Sequence, residues 1–135
     1  MWSLILWSIA PIFDALMDTL ENENYTKSIF YRNPNKTGKL DVKAVRWNQF
    51  WYKRESWDHT PEVLGYSIDG WHIAKTFMLT FFAGSCIAAY FEPMVITQFN
   101  VIFNIFIELG IRCIIWGVVF ELFYTKIFRR KHAQS

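Results

Sequence analysis

The sequence predicts an all-α integral membrane protein with three transmembrane helices and a connector lying at the cytoplasmic surface. Three observations predict it. Apolar residues make up 53% of the 135 positions and aromatic ones 19%, with 7 Trp and 13 Phe, more than the surface of a small soluble domain can hide. These residues are clumped into three blocks, about 2–20, 71–91 and 99–124, with a polar stretch over 21–70 between the first two. The basic residues, finally, fall in alternate segments between the blocks. The chain is read as a single membrane domain over 1–135. A net charge of +2 gives no bulk field to attract nucleic acid, so none is expected as a partner.

The first block, Trp2–Leu20, is ~28 Å long as a helix rising ~1.5 Å per residue, close to the ~30 Å bilayer core. Asp14 and Asp18 interrupt it, and Pro11 leaves the carbonyl of Trp7 without its helical donor, loosening the turn before Asp14. A signal peptide fits poorly, because no Lys or Arg precedes the apolar run and no small-residue cleavage site follows it.

In the connector, "NPNKTGK" at 33–39 predicts a turn around Pro34 and Gly38. "VKAVRWNQFWYKRESW" then mixes Lys43, Arg46, Lys53 and Arg54 with Trp47, Phe50, Trp51, Tyr52 and Trp57. Such a mixture can stack on nucleic-acid bases. Beside membrane spans it instead predicts a helix in the headgroup layer, rings toward the lipid and cations toward anionic headgroups. Trp47, Trp51, Lys53, Arg54 and Lys75 are therefore the expected interfacial residues. The connector has too few strongly apolar positions to build an enzyme domain of its own, and His59 has no local ligand partner.

The second and third blocks, Trp71–Phe91 and Phe99–Tyr124, give helices of ~31 and ~39 Å. The third exceeds the bilayer core and must tilt or project. Cys86 and Cys113 fall inside these blocks with neither metal-ligand nor secreted-framework spacing, and are read as buried thiols. Orientation follows from the bases. Lys27, Arg32, Lys36, Lys39, Lys43, Arg46, Lys53 and Arg54 precede the second block, and Lys126, Arg129, Arg130 and Lys131 follow the third. The hairpin "EPMVITQ" has none. The positive-inside rule puts the N-terminus outside and the C-terminus in the cytoplasm.

This topology gathers charge at the cytoplasmic boundary. Asp14 and Asp18 share one face of the first helix. Asp69, His72 and Lys75 open the second, and Glu121 lies near the inner end of the third. One reading is structural: Asp69 caps its helix, His72 donates to a carboxylate, and Lys75 snorkels or pairs with Asp18. The other has Asp14, Asp18, His72 and Glu121 hold a divalent metal, since i, i+3 and i, i+4 spacings aim several ligands into one cavity. No HExxH, Walker, GxGxxG, GxSxG or CxxC string is present.

Asn100, Asn104, Glu108 and Arg112 follow one another at four-residue steps, a continuous polar stripe on the third helix. A lone charge near the bilayer midplane costs about 2.5–3.5 kcal/mol, so the stripe must face protein or water. Glu108 and Arg112 can pair at i, i+4. His72, Thr76, Thr80, Gly84 and Ala88 form a small, weakly polar groove on the second helix, and the third is expected to pack there. Gly110 and Gly117, near the same side, would ease contact with another subunit. A pore lined by Asn100, Asn104 and Glu108 is the channel version of this idea.

At "DALMDTL", "SIF" and "DGWHIAK" the chain resembles a group of small bacterial multi-pass membrane proteins. Those share an Asp-Thr-Leu after the first helix, a Ser-Ile-Phe, a Trp-rich middle and a DxWH opening the next span. The matching positions are Asp18, Ser28, Asp69, Trp71 and His72, within residues 1 to about 85. The resemblance implies no established activity and places the working part at the cytoplasmic cluster. The expected function is that of a non-enzymatic membrane component acting through helix association with itself or a membrane partner. The alternatives are a metal-dependent membrane enzyme using the Asp/His/Glu set, and a small oligomeric channel.

Overall fold

Leu, Ile, Ala and Met dominate the first block, and it forms a single helix, α1 (Trp2–Thr19), which continues through Pro11. In this computed structural model of the chain, residues 1–35, 38–52, 62–63, 66–67, 69–92 and 101–130 are described. Lys36, Lys53, Arg54, Trp57, His59, Asn100 and Lys131, all named above, lie outside them. After α1 come a short α2 (Asn22–Thr26) and α3 (Val42–Trp51). A two-residue antiparallel hairpin of β1 (Glu62–Val63) and β2 (Tyr66–Ser67) follows, then α4 (Gly70–Phe91) and α5 (Val101–Glu121). The chain is thus mostly helical, with one minimal hairpin that the sequence did not suggest.

The capping chemistry is local and fixes the helix starts. The Asp41 carboxylate accepts from the N–H groups of Lys43 and Ala44 at the head of α3, and Asp69 accepts from His72 N–H at 2.8 Å at the head of α4. Of the turn expected at 33–39, the described residues show Asp41 N–H bonded to the Pro34 carbonyl at 2.8 Å and Gly38 at φ 74°, which a side chain would disfavour. Beyond Glu121 the third long helix widens into a π-helical segment, Leu122–Ile127, where Phe128 N–H reaches back five residues to the Phe123 carbonyl.

Among the described residues two helices, α4 and the continuous stretch Val101–Ile127, are long and apolar enough to cross a membrane. The sequence predicts three. α1, with 18 residues that include Asp14, Asp18 and Pro11, is not among them. Only 11% of either candidate span is buried inside the chain, whereas the core helix of a soluble protein would be mostly covered. Phe77, Leu79 and Ile87 on α4, and Ile102, Phe106, Ile114 and Val118 on α5, all face outward. Cys86 and Cys113 are exposed on these same surfaces, contrary to the buried-thiol expectation.

The helix order in space also differs from expectation. α1 packs along α4 and also against α5 and the π segment, so it lies between the two long helices. They meet through an aromatic trio: Trp7 of α1 is 5.3 Å from Phe82 and 5.5 Å from Trp116, ring centre to ring centre, and those two are 6.4 Å apart. The physical reason is side-chain size. The buried face of α1 is Ser3, Ala10, Pro11, Ala15 and Thr19, and opposite it on α4 stand the buried Ala74 and Ser85. Small residues let backbones approach closely. Leu6 of α1 then fills the notch at Gly84. Thr76 and Thr80 of the predicted groove point outward instead, and their hydroxyls donate to the His72 and Thr76 carbonyls of their own helix. Ala88 is half-buried.

At the C-terminal end of α1, Leu20, Tyr25 and Trp71 form a buried core against which Leu16, Met17, Phe30, Tyr31, Trp51 and Tyr52 pack. A large apolar side chain buried there contributes about 1.5–3 kcal/mol. The cluster ties α1, α2 and α3 to the start of α4.

Candidate functional site

Chemistry-bearing side chains collect at both ends of the helices and in the connector. At the head of α4 Asp69, 2% exposed, directs a single oxygen at two donors of His72: the main-chain N–H, and Nδ1 at 2.9 Å. The imidazole thus finds its carboxylate one turn away on its own helix, as the structural reading expects. Trp71 Nε1 donates to Glu21 at 2.7 Å, and the Lys75 ammonium stands 5.0 Å above the Trp71 ring. Asp14 is half-buried on α1. Glu121 is exposed at the end of α5. Among the described residues no three His, Cys, Asp or Glu side chains are grouped to hold one ion, so Asp14, Asp18, His72 and Glu121 are not gathered as a ligand set.

At the opposite end a polar chain crosses all three long helices. Arg112 Nη2 lies 3.0 Å from Glu108 Oε1 and donates to Ser3 Oγ at 3.2 Å. Ser3 Oγ in turn donates to Glu92 Oε2 at 2.6 Å, and Ser3 N–H to Glu92 Oε1 at 3.2 Å. The chain's amino group sits 2.5 Å from Glu92. That ammonium, and then Ser3, hold the Glu92 carboxyl down at about 2, well below the ordinary carboxylate range. Trp7 closes the site over Arg112: its Nε1 donates to the Arg112 carbonyl at 2.8 Å, and the guanidinium lies 5.3 Å from its ring centre. Asn104 and Arg112 are buried and Glu108 is half-buried. Arg112 therefore meets α1, not the α4 groove, and Gly110 and Gly117 are on the opposite, open side of α5 with no other atom near their Cβ positions. Ser3 and Glu92 escaped sequence reasoning. Their only signal is that Glu92 is an acid ending an apolar run with no nearby base.

The connector is docked onto the chain through its own side chains. Asn48 Oδ1 accepts from Tyr25 OH and from Arg32 N–H, both at 2.9 Å, and its Nδ2 donates to the Arg32 carbonyl at 2.7 Å. Trp47 Nε1 donates to the Phe30 carbonyl at 2.7 Å, and the Arg32 guanidinium lies 3.9 Å above the Trp47 ring. Trp51 stacks on Phe30 with ring centres 5.0 Å apart. Trp47 and Trp51 thus pack against protein, where the sequence predicts rings turned toward the lipid. The Ser-Ile-Phe triplet has a structural role too. Ser28 pairs with Arg129 as an antiparallel bridge, flanked by bonds from Ile29 N–H to the Phe128 carbonyl and from Arg130 N–H to the Lys27 carbonyl.

An open groove of about 370 Å³ runs along this docked connector, lined by Tyr25, Tyr31, Pro34, Val45, Asn48 and Tyr52 together with Thr26 and Gln49. Burial pushes the Tyr25 phenol above its ordinary range and neighbouring Tyr31 adds to the shift, while the guanidiniums of Arg130 and Arg32 oppose it. No protein-family model, curated protein or solved structure matches the chain.

Proposed function

We propose that the chain is an integral membrane protein that crosses the bilayer three times, with its N-terminus outside and its C-terminus in the cytoplasm. It acts without catalysis, by association with a second copy of itself. The observation that carries the reading is the outer face of α5, where Phe106, Gly110, Cys113 and Gly117 are exposed along one side of an apolar helix and nothing occupies the space over the glycines. In lipid, helix pairs form where small residues let backbones approach, because apolar side chains gain nothing by leaving acyl chains for one another. α1 supports the third crossing: it runs between two span-length helices. The basic residues at the connector and the C-terminus support the orientation. Contact of Arg112 with Ser3 and Trp7 of α1, and the burial of Asn104, favour the association reading over a pore lined by that stripe.

Copper-phenanthroline oxidation of membranes holding the full chain, in a Cys86→Ser background, is expected to give a Cys113-linked dimer. The dimer should fade in Gly110→Leu and Gly117→Leu variants. Persistence of monomer alone, in protein whose Cys113 still reacts with a small maleimide, would overturn self-association.

A further inference from the structure

The connector groove and the two arginines beside it have no part in the association described above. The groove's volume of about 370 Å³ falls within the ~300–1,000 Å³ typical of small-molecule sites. Among the described residues no Asp or Glu lines it, so the wall carries no formal negative charge to repel an anion. Tyr25 forms its base: this residue is buried, with Tyr31 edge-on at 5.9 Å and Tyr52 tilted at 5.3 Å.

Arg130 is placed by its bond to the groove residue Tyr31, and Arg32 is tied to the groove residue Asn48 through its main chain. The Arg32 guanidinium is stacked over Trp47. Arg130 donates from Nη2 to the carbonyl of Tyr31, its own main chain being tied to Lys27. Both residues are exposed. A guanidinium carries five N–H donors in a planar fork that matches phosphate oxygens, so the bond to Tyr31 leaves others for a ligand. An apolar trough with cations at its edge selects an amphiphile with one anionic end.

We propose that this groove binds an anionic phospholipid of the cytoplasmic leaflet, with its phosphate at Arg32 and Arg130 and its glycerol and first methylenes along Tyr25, Tyr31 and Tyr52. The assignment rests on the membrane reading, which places this end of the molecule against the leaflet that carries anionic lipid. Lys27 and Arg129, brought alongside by the Ser28–Arg129 bridge, add to the attracting charge.

The test uses the full chain in neutral detergent, titrated with dihexanoyl phosphatidylglycerol, dihexanoyl phosphatidylcholine or inorganic phosphate and followed by native mass spectrometry. One phosphatidylglycerol is expected to bind saturably, about tenfold more tightly than either other probe, and the Arg32→Gln/Arg130→Gln pair should remove about that factor. Val45→Trp fills the groove while keeping both arginines and should abolish binding, with Gln49→Trp as the second variant if the first does not fold. Equal affinity for phosphatidylcholine overturns the proposal. So does inorganic phosphate binding as tightly as the lipid, which would make this a free-anion site, and so does a folded groove-filled variant that binds normally. A chain that resists carbonate extraction yet shows no lipid preference refutes the lipid site alone. Release by carbonate refutes the membrane reading whatever the lipid result.

Discussion

Arg112→Leu is expected to destabilise the bundle severely, whereas the Glu108→Leu/Arg112→Leu pair should recover most of the loss. Arg112 is 6% exposed and serves Glu108, Ser3 and, through its carbonyl, Trp7. Removing it leaves the Glu108 carboxylate half-buried without its nearest cation. Breaking a fully buried ion pair costs about 3–5 kcal/mol. The Glu108 side chain remains 30% exposed, so the lower end of that range is the appropriate expectation. Replacing both partners by leucine removes the uncompensated charge together with its desolvation penalty, and such exchanges are often neutral or better. Thermal unfolding in detergent, followed by loss of the monodisperse peak, reads both variants. A single variant as stable as the parent would show that the stripe carries no such load.

Gly70→Ala is the second large effect. A Cβ at this position would lie 2.6 Å from Cε3 of Trp51, with two further ring atoms at 3.1 and 3.3 Å. Ring and backbone cannot both stay. Trp51 is held by Phe30, Phe50 and Trp47, and the backbone of Gly70 follows directly on the Asp69 cap. Overpacking of this kind costs about 1–3 kcal/mol, and here it would pry α3 from the start of α4. The measurable consequences are a lower unfolding temperature and faster tryptic cleavage in the connector. In a Trp51→Leu background the alanine should cost little, because the obstructing ring is gone. If Gly70→Ala leaves both readouts unchanged in the parent, the Trp51–Gly70 contact is not what joins these helices.

These two sites differ in how much of them a sequence reader could have found. Glu108 and Arg112 pair at i, i+4 within one helix, and Asp69 with His72 at i, i+3, so both contacts were legible from spacing alone. The second block was placed to within a residue, 71–91 against Gly70–Phe91, because a cap and a long apolar run are local signals. The Gly70–Trp51 contact, the Ser3–Glu92 bond and the Ser28–Arg129 bridge join residues 19 or more positions apart, and no periodicity encodes them. The position of α1 between α4 and α5 was missed for a related reason. Its aspartates drew attention to charge, while its partner surface is written in Ala10, Ala15 and Ser3, residues too plain to stand out. Trp47 and Trp51 show the reverse case, since their spacing does not encode the protein contacts they make. Aromatics among bases suggest an interface with lipid, yet the indole of Trp47 finds a carbonyl in its own chain, at Phe30.

Three crossings require the two ends of the chain to lie on opposite sides of the membrane, and accessibility labelling of sealed vesicles tests this most directly. A tag at the N-terminus is expected to react with an impermeant reagent from outside, and one at the C-terminus only after permeabilisation. Labelling of both tags from one side would leave α1 on the surface and contradict the arrangement of α1 between two spans.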